Sequence, residues 1–130
     1  MKHRSSILLG AVTVVLATVA LLLSTIVVPG AALAKPAVKT VVIKNMTFMP
    51  QKITVNAGTK VTWVNKDSVS HNVTSAKSMS TTTKTTKMFA SALLSKGQKF
   101  SFTFKKKGTF FYECTIHAFM ASMHGQVTVK

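Results

Sequence analysis

The chain has 130 residues with 17 basic and 2 acidic side chains, which give a formal net charge of +15, and it contains one cysteine. This length accommodates one domain, or one domain behind a targeting segment. A single cysteine excludes an intramolecular disulfide and any zinc site built only from cysteines. Two carboxylates disfavour the paired-carboxylate chemistry of glycosidases and a calcium site, which needs several oxygen ligands. The composition therefore points away from an enzyme.

Residues 1–34 form a segment distinct from the rest of the chain. A basic start precedes the almost uninterrupted apolar run Ile7–Val28, and Ala32-Leu33-Ala34 offers small residues at the spacing that a signal peptidase requires. These three features are typical of a secretory signal. Because the apolar run is also long enough to span a bilayer, the alternative is an uncleaved anchor with the basic residues inside. A third interpretation is a buried core helix. Under the first two interpretations residues 35–130 are exported.

Residues 35–130 show the two-residue alternation that is typical of strands with one buried face. The apolar members of the alternation are Val41 and Ile43; Ile53 and Val55; Val61 and Trp63; Phe100, Phe102 and Phe104; Phe110, Tyr112 and Cys114; Val127 and Val129. Turn-forming residues separate these segments, and no stretch has a helical period. The sequence therefore predicts an all-β domain of six to eight short strands, arranged as a β-sandwich. Ser75–Lys87 lacks apolar alternation and is predicted to be an exposed, mobile loop.

Candidate metal ligands lie in two separate segments of the sequence. Cys114-Thr115-Ile116-His117 ends a predicted strand, and His71 lies well upstream of it. A soft thiolate with two imidazoles favours copper, and with a distant axial methionine this set forms a blue-copper electron-transfer centre. Taken singly, the cysteine is most often a small buried hydrophobe, and each histidine is usually a structural or solvated residue. Their joint occurrence with a downstream Met and Gly, and an unpaired cysteine in an exported chain, favour the metal site.

Several longer segments run in one order through most of Val41–Val129. They are Phe48-Met49-Pro50, Gly58 to Asn65, Asp67 to Val73, Gly108 to His117, and Gly125 to Val129. In this combination the sequence resembles the cupredoxins of the plastocyanin/amicyanin type. The resemblance implies a Greek-key β-sandwich that holds one copper ion near one end. It also implies His71, Cys114 and His117 as equatorial ligands, with Asn72 steadying the thiolate and the ligand loops.

The axial ligand is where the chain departs from the family pattern. Family members usually place a methionine three or five residues after the second histidine, followed by x-Gly and a strand. Met120 has the three-residue spacing, whereas Met123 lies six residues after His117 but reproduces the junction in Met123-His124-Gly125. Since that junction fixes where the side chain leaves the backbone, we favour Met123 and keep Met120 as the alternative. His124 is predicted to be a surface residue beside the loop.

The resemblance implies an electron carrier, not an enzyme, that works through a Cu(I)/Cu(II) couple. Electrons are expected to pass at the edge of His117, where Ala118, Phe119 and Met120 form an apolar patch for a docking partner. The positive charge favours an acidic redox partner, or an anionic membrane or cell-wall surface. Because the aromatic residues occupy core-facing positions instead of interleaving with basic ones, no nucleic-acid binding is expected. We expect a monomer with an extracytoplasmic location: periplasmic, secreted or at the cell surface.

Two other functions stay open. Met120, Met123 and His124 near the site fit a copper storage protein or chaperone, although such proteins generally need an open, exchangeable site. Ser75–Lys87 and Lys105-Lys106-Lys107 would suit a module that binds polyanions, although a lysine run of this kind is also typical of a solvated turn. Metal-exchange kinetics separate the copper-handling alternative from the electron carrier.

Overall fold

Nine strands arranged in two sheets make up the part of the chain that the computed structural model describes, residues 35–130. The strands are β1 (Val38–Ile43), β2 (Phe48–Met49), β3 (Lys52–Val55), β4 (Thr59–Asn65), β5 (Thr74–Ala76), β6 (Thr85–Ala90), β7 (Lys99–Phe104), β8 (Gly108–Glu113) and β9 (His124–Val129). Two short 3-10 helices, Thr115–His117 and Ala121–Met123, lie between β8 and β9. The predicted all-β class is confirmed. The predicted signal or anchor in residues 1–34 lies outside the described residues.

Most strands that follow one another in sequence lie in different sheets, as expected for a Greek-key sandwich. One sheet has the order β2-β1-β4-β7 and the other the order β3-β9-β8-β5-β6. Both sheets are mixed, because β1 pairs with β4 and β3 with β9 in parallel, while the other pairings are antiparallel. Among residues 35–130, no helix has the length and hydrophobicity needed to cross a membrane.

The core lies between the sheets and is built from the alternating residues that the sequence indicates. Trp63 in β4 is fully buried and pairs in register with Val41 and Phe100 on the neighbouring strands. The Trp63 ring packs against Tyr112 of the opposite sheet, and the centroids of the two rings are 5.1 Å apart. The edge of one ring points at the face of the other, a favoured geometry for aromatic pairs. The ring of Phe89 also packs against Trp63, with the ring centroids 5.9 Å apart. This aromatic packing fixes the two sheets against each other and holds rigid the strand ends that carry the site.

The prediction of one exposed loop over Ser75–Lys87 is wrong at both ends. Ser75 lies buried in β5, and β6 already begins at Thr85. The Ser75 hydroxyl donates to the carbonyl of Thr86 and accepts the N–H groups of Met88 and Phe89. These bonds satisfy a polar side chain inside the sheet, so the strand needs no apolar alternation. The connection between the two strands is limited to residues 77–84, and the Lys77 N–H donates to the Lys84 carbonyl at its base.

Candidate metal centre

Three side chains bring metal-ligating atoms together at one end of the sandwich. The Nδ1 atoms of His71 and His117 lie 3.2 Å apart, and Cys114 Sγ lies 3.8 Å from the first and 3.4 Å from the second. His71 and Cys114 are buried, and His117 is half-buried. Within residues 35–130 these side chains form the cluster of His, Cys, Asp and Glu able to hold a metal ion.

The spacing of these donor atoms fits a transition-metal ion. Donors at about 2.0 Å (nitrogen) and about 2.3 Å (sulfur) around one ion in a trigonal plane lie roughly 3.5–3.7 Å from one another. The observed separations of 3.2, 3.4 and 3.8 Å are close to those values. A thiol with two imidazoles is also the donor set of copper electron-transfer sites. The residues present therefore fit a copper ion.

Cys114 and His117 are positioned by the sharp turn that follows β8. Cys114 is the first residue after the strand, and its N–H donates to the Met123 carbonyl at 3.0 Å. The chain then enters the 3-10 helix Thr115–His117, in which the His117 N–H donates back to the Cys114 carbonyl at 3.0 Å. This turn explains how two ligating side chains three residues apart face the same point.

His71 comes from a different part of the chain, the connection between β4 and β5. Its backbone exchanges two hydrogen bonds with Leu94, of 3.2 and 2.7 Å, in an isolated bridge. The buried Asn65 amide donates to the carbonyls of Leu94 at 2.7 Å and Val69 at 2.8 Å. The connection is therefore fixed at several points, and the His71 ring reaches the centre from a rigid backbone.

Asp67 supports His71 from the side away from the cysteine, a role that the sequence analysis missed. The His71 Nε2 donates to Asp67 Oδ2 at 3.0 Å. The carboxylate also accepts the N–H groups of Asn45 at 2.6 Å and Met46 at 2.9 Å. Burial alone would raise the pKa of Asp67, but the two backbone donors together with the nearby His71 outweigh it, and the pKa is lowered. An ionised carboxylate at Nε2 directs the lone pair of Nδ1 towards the metal position. The available signal was an Asp four residues before the histidine, one of 2 acidic residues in the chain.

Asn72 lies where the resemblance places it, between the two ligand-bearing segments. Its backbone N–H points at Cys114 Sγ at 3.4 Å. Its side chain binds Thr115 twice, donating to the hydroxyl at 2.7 Å and accepting the backbone N–H at 2.8 Å. These bonds tie the His71 segment to the Cys114 segment without using a ligating atom.

The protonation of the candidate ligands is governed by burial. Burial raises the pKa of the Cys114 thiol, with the Asn72 N–H acting in the opposite direction. Burial, and then the proximity of His71, lower the pKa of His117 below its ordinary value. The site thus favours a neutral imidazole, which can ligate a metal, while the thiol needs a cation to stabilise its thiolate.

The two candidate axial methionines differ in burial. Met123 is fully buried in the same core cluster as Cys114, whereas Met120 is half-buried at the edge of that cluster. On the outside of the loop, Phe119 is 75% exposed and Ile116 is 47% exposed. Together with the half-buried Ala118, these two side chains form an apolar rim beside His117.

The prediction that His124 is a surface residue is wrong, since its side chain is fully buried. Alternation along β9 places it on the outer face of the sheet, opposite Glu113 in β8. That face is covered at this point by the loop after His117, and His124 Nε2 lies 2.7 Å from the Ala118 carbonyl. Alternation identifies the correct face of the strand but contains no information about a loop that covers it.

Comparison with known proteins agrees with this geometry. The model of the family described as copper binding proteins, plastocyanin/azurin family, matches residues 36–130. Amicyanin of Paracoccus versutus is 34% identical over 103 residues, which cover 78% of this chain and 73% of the relative. Amicyanin-alpha of Methylorubrum extorquens is 32% identical over 88 residues, or 68% of each chain.

Solved structures show the same fold. A purple cupredoxin from Nitrosopumilus maritimus superposes with a TM-score of 0.62 at 29% identity, covering 70% of this chain and 98% of the other. The Cu(I) form of an amicyanin variant gives 0.58 at 29% identity, covering 72% and 83%. The cofactor that follows is one copper ion, and His71, Cys114 and His117 are the group able to hold it. The chain belongs to the plastocyanin/azurin family of copper-binding proteins, and is a cupredoxin.

Proposed function

We propose that the protein is an exported electron carrier that passes single electrons between redox partners through one type 1 copper ion. The observation that carries this proposal is the convergence of one cysteine sulfur and two histidine Nδ1 atoms within 4.8 Å of one another. In this assignment His71, Cys114 and His117 are the equatorial ligands. When bound, copper supplies the one-electron Cu(I)/Cu(II) couple, and the protein needs no substrate pocket of its own.

The role of the protein is to hold the ligands in one arrangement for both oxidation states of copper. Bonds from Asp67, Asn65 and Asn72 fix the ligand-bearing segments, so little rearrangement accompanies a change of charge. The backbone N–H of Asn72 donates towards Cys114 Sγ and stabilises the negative charge of the thiolate. Because burial raises the pKa of the Cys114 thiol, copper loading releases a proton from it.

Met123 is the proposed axial ligand, with Met120 as the alternative. Met123 is fully buried and its carbonyl accepts the N–H of Cys114, so the two residues are adjacent across the loop. The burial of Met123 also keeps water from the site, which favours a weak thioether contact over a bound water. The half-buried Met120 belongs with the outer part of the loop.

Partner docking is proposed at the apolar rim of Ala118 and Phe119 beside the half-buried His117. A net charge of +15 would speed encounter with an acidic redox partner, and would also favour an anionic membrane or cell-wall surface. We assign residues 1–34 to a signal peptide or membrane anchor and residues 35–130 to the copper domain. On this assignment the domain lies outside the cytoplasm, and we propose that it is a monomer.

The test is the visible spectrum of the full-length protein after addition of Cu(II), recorded beside that of Cys114→Ala. An intense thiolate-to-copper band in the natural protein, absent from the variant, is the expected result. Copper binding without this band would overturn the electron-carrier proposal in favour of copper storage or delivery. A protein that binds no copper would refute both functions.

A further inference from the structure

The loop that carries the candidate ligands is held by a buried histidine that is not itself in the ligand cluster. His124 is fully buried, and its Nε2 lies 2.7 Å from the carbonyl oxygen of Ala118. Because a carbonyl can only accept, Nε2 must carry a hydrogen. The bond links the first residue of β9 to the residue that directly follows His117.

The other edge of the same ring faces Glu113. The two residues are paired in register on β8 and β9, and His124 Nδ1 lies 3.6 Å from Glu113 Oε2. Both side chains are almost completely buried, 0% and 3% exposed. At 3.6 Å this approach is longer than a hydrogen bond, and neither atom has a hydrogen-bond partner among the described residues. The orientation of the ring is therefore set by its bond to the Ala118 carbonyl, with the carboxyl group facing the other edge.

Two further side chains fix the middle of the same loop. The Gln51 amide donates to the carbonyls of Ala121 at 2.9 Å and His124 at 3.1 Å. The Ser122 hydroxyl donates to the carbonyl of Met46 at 2.7 Å. Within the loop, only the backbone bonds from Met120 to His117 and from Met123 to Met120 add to these. The segment from Ala118 to Ser122 is thus supported mainly from outside.

We propose that His124 is a positioning residue for the copper site, which holds the long loop between His117 and Met123 in its ligating conformation. Met123 lies six residues after His117, and each added residue gives a loop more freedom to lose on ordering. The hydrogen bond from His124 to Ala118 fixes the start of the loop, directly after His117. Because Met123 directly precedes His124 in the chain, the same residue also fixes the end of the loop. This inference rests on the proposed function for its effect on copper, but not for its effect on the loop.

The test compares His124→Phe, which keeps an aromatic ring but loses the donor, with His124→Gln, whose amide can still donate to Ala118. Gln126→Ala is the matched control, since Gln126 lies on the same face of β9 and its side chain binds only Thr128. In the metal-free full-length protein, hydrogen exchange at the Met120 and Met123 amides should be at least about fivefold faster in His124→Phe than in the natural protein. The exchange rates in His124→Gln and Gln126→Ala should stay close to the natural ones. After copper loading, the affinity for Cu(II) in a chelator competition should fall about tenfold or more in the same variant.

Several outcomes would overturn the inference. One is natural exchange and natural copper affinity in His124→Phe. Another is an equal loss of exchange protection and copper affinity in His124→Phe and His124→Gln, because the lost hydrogen-bond donor would then not explain the effect. If the natural protein shows no blue band while the exchange difference is present, the positioning role stands and the proposed electron-transfer function fails. If the band is present and the exchange rates do not differ, the function stands and the positioning role fails.

Discussion

Asp67 and His71 lie four residues apart and are joined by a hydrogen bond of 3.0 Å from the histidine Nε2 to the carboxylate. The Nδ1 of the same ring lies 3.8 Å from Cys114 Sγ. Because two backbone N–H groups also hold the carboxylate, the imidazole is fixed from the side opposite the metal position. In a chain with only 2 acidic residues, one of them serves to orient a ligand.

Replacing Asp67 by Asn should therefore weaken copper binding by about 10–100-fold, the usual effect of losing a partner that orients a metal ligand. The variant keeps the shape of the side chain but loses the charge that fixes the His71 tautomer. Competition with a chelator of known affinity measures the change. Lys66→Gln, which alters an exposed charge next to Asp67, is the control and should bind as the natural protein does. Equal affinity in Asp67→Asn and the control would contradict the assignment.

Acid should remove copper by protonating His117, at a pH below the ordinary histidine pKa of 6.5. Burial, and then the nearby His71, lower the pKa of His117 below its ordinary 6.5, so the neutral ring is favoured in the folded protein. Between the folded and unfolded pKa values the unfolded chain binds more protons, so the metal-free domain loses stability as the pH falls through and below 6.5. Proton NMR titration of the metal-free protein, with the blue band followed against pH, measures both effects. A His117 pKa at or above the ordinary value would refute this prediction.

Glu113→Gln should stabilise the metal-free protein at neutral pH. Burial raises the pKa of Glu113, although the neighbouring His124 opposes the shift. Because the folded pKa is the higher one, ionisation costs stability above it, and this cost vanishes as the pH falls below the ordinary value of 4.5. We therefore expect a higher unfolding free energy for the variant than for the natural protein at pH about 7.

Urea unfolding at neutral pH and at pH about 4 measures this effect, because the natural protein and the variant should converge at the lower value. A gain that is the same at both pH values would mean that packing, and not charge, is responsible.

The axial assignment predicts different results for two matched methionine variants. Met123→Leu should change the reduction potential and the ratio of the visible bands, because the axial ligand tunes the potential of such sites. Met120→Leu should leave both close to those of the natural protein. Cyclic voltammetry and absorption spectra of the copper-loaded variants decide between them. A shift confined to Met120→Leu would reverse the assignment.

The docking rim can be tested without knowledge of the partner, through electron self-exchange between oxidised and reduced copies. Phe119→Ser removes a side chain that is 75% exposed and should slow self-exchange while sparing the visible spectrum. With a net charge of +15 on each copy, added salt should speed self-exchange by screening repulsion. Val38→Ser, which changes an exposed residue in β1, is the control. A rate that is independent of Phe119 would place the contact surface elsewhere.

The sequence predicts the sandwich well because its strands have a core face that alternation reveals, as at Trp63 and Tyr112. It predicts the cluster of His71, Cys114 and His117 because the chain has 1 cysteine and 4 histidines and their metal chemistry is specific. It fails where polar residues are buried by local bonds. Ser75 satisfies its hydroxyl within the hairpin, and His124 lies under a loop whose path depends on the whole fold. The partners Met88 and Ala118 lie 13 and 6 residues away, outside the periods of strands and helices, so no periodic pattern identifies them.

The donors come from two connections at one end of the sandwich. His71 lies between β4 of the four-stranded sheet and β5 of the five-stranded one, whereas Cys114 directly follows β8, which pairs with β5. A metal held by both joins the connection that passes between the sheets to the loop after β8. Ligand binding to the native state opposes its opening by mass action. We therefore expect proteases and mechanical force to open the copper-loaded protein least readily at this end.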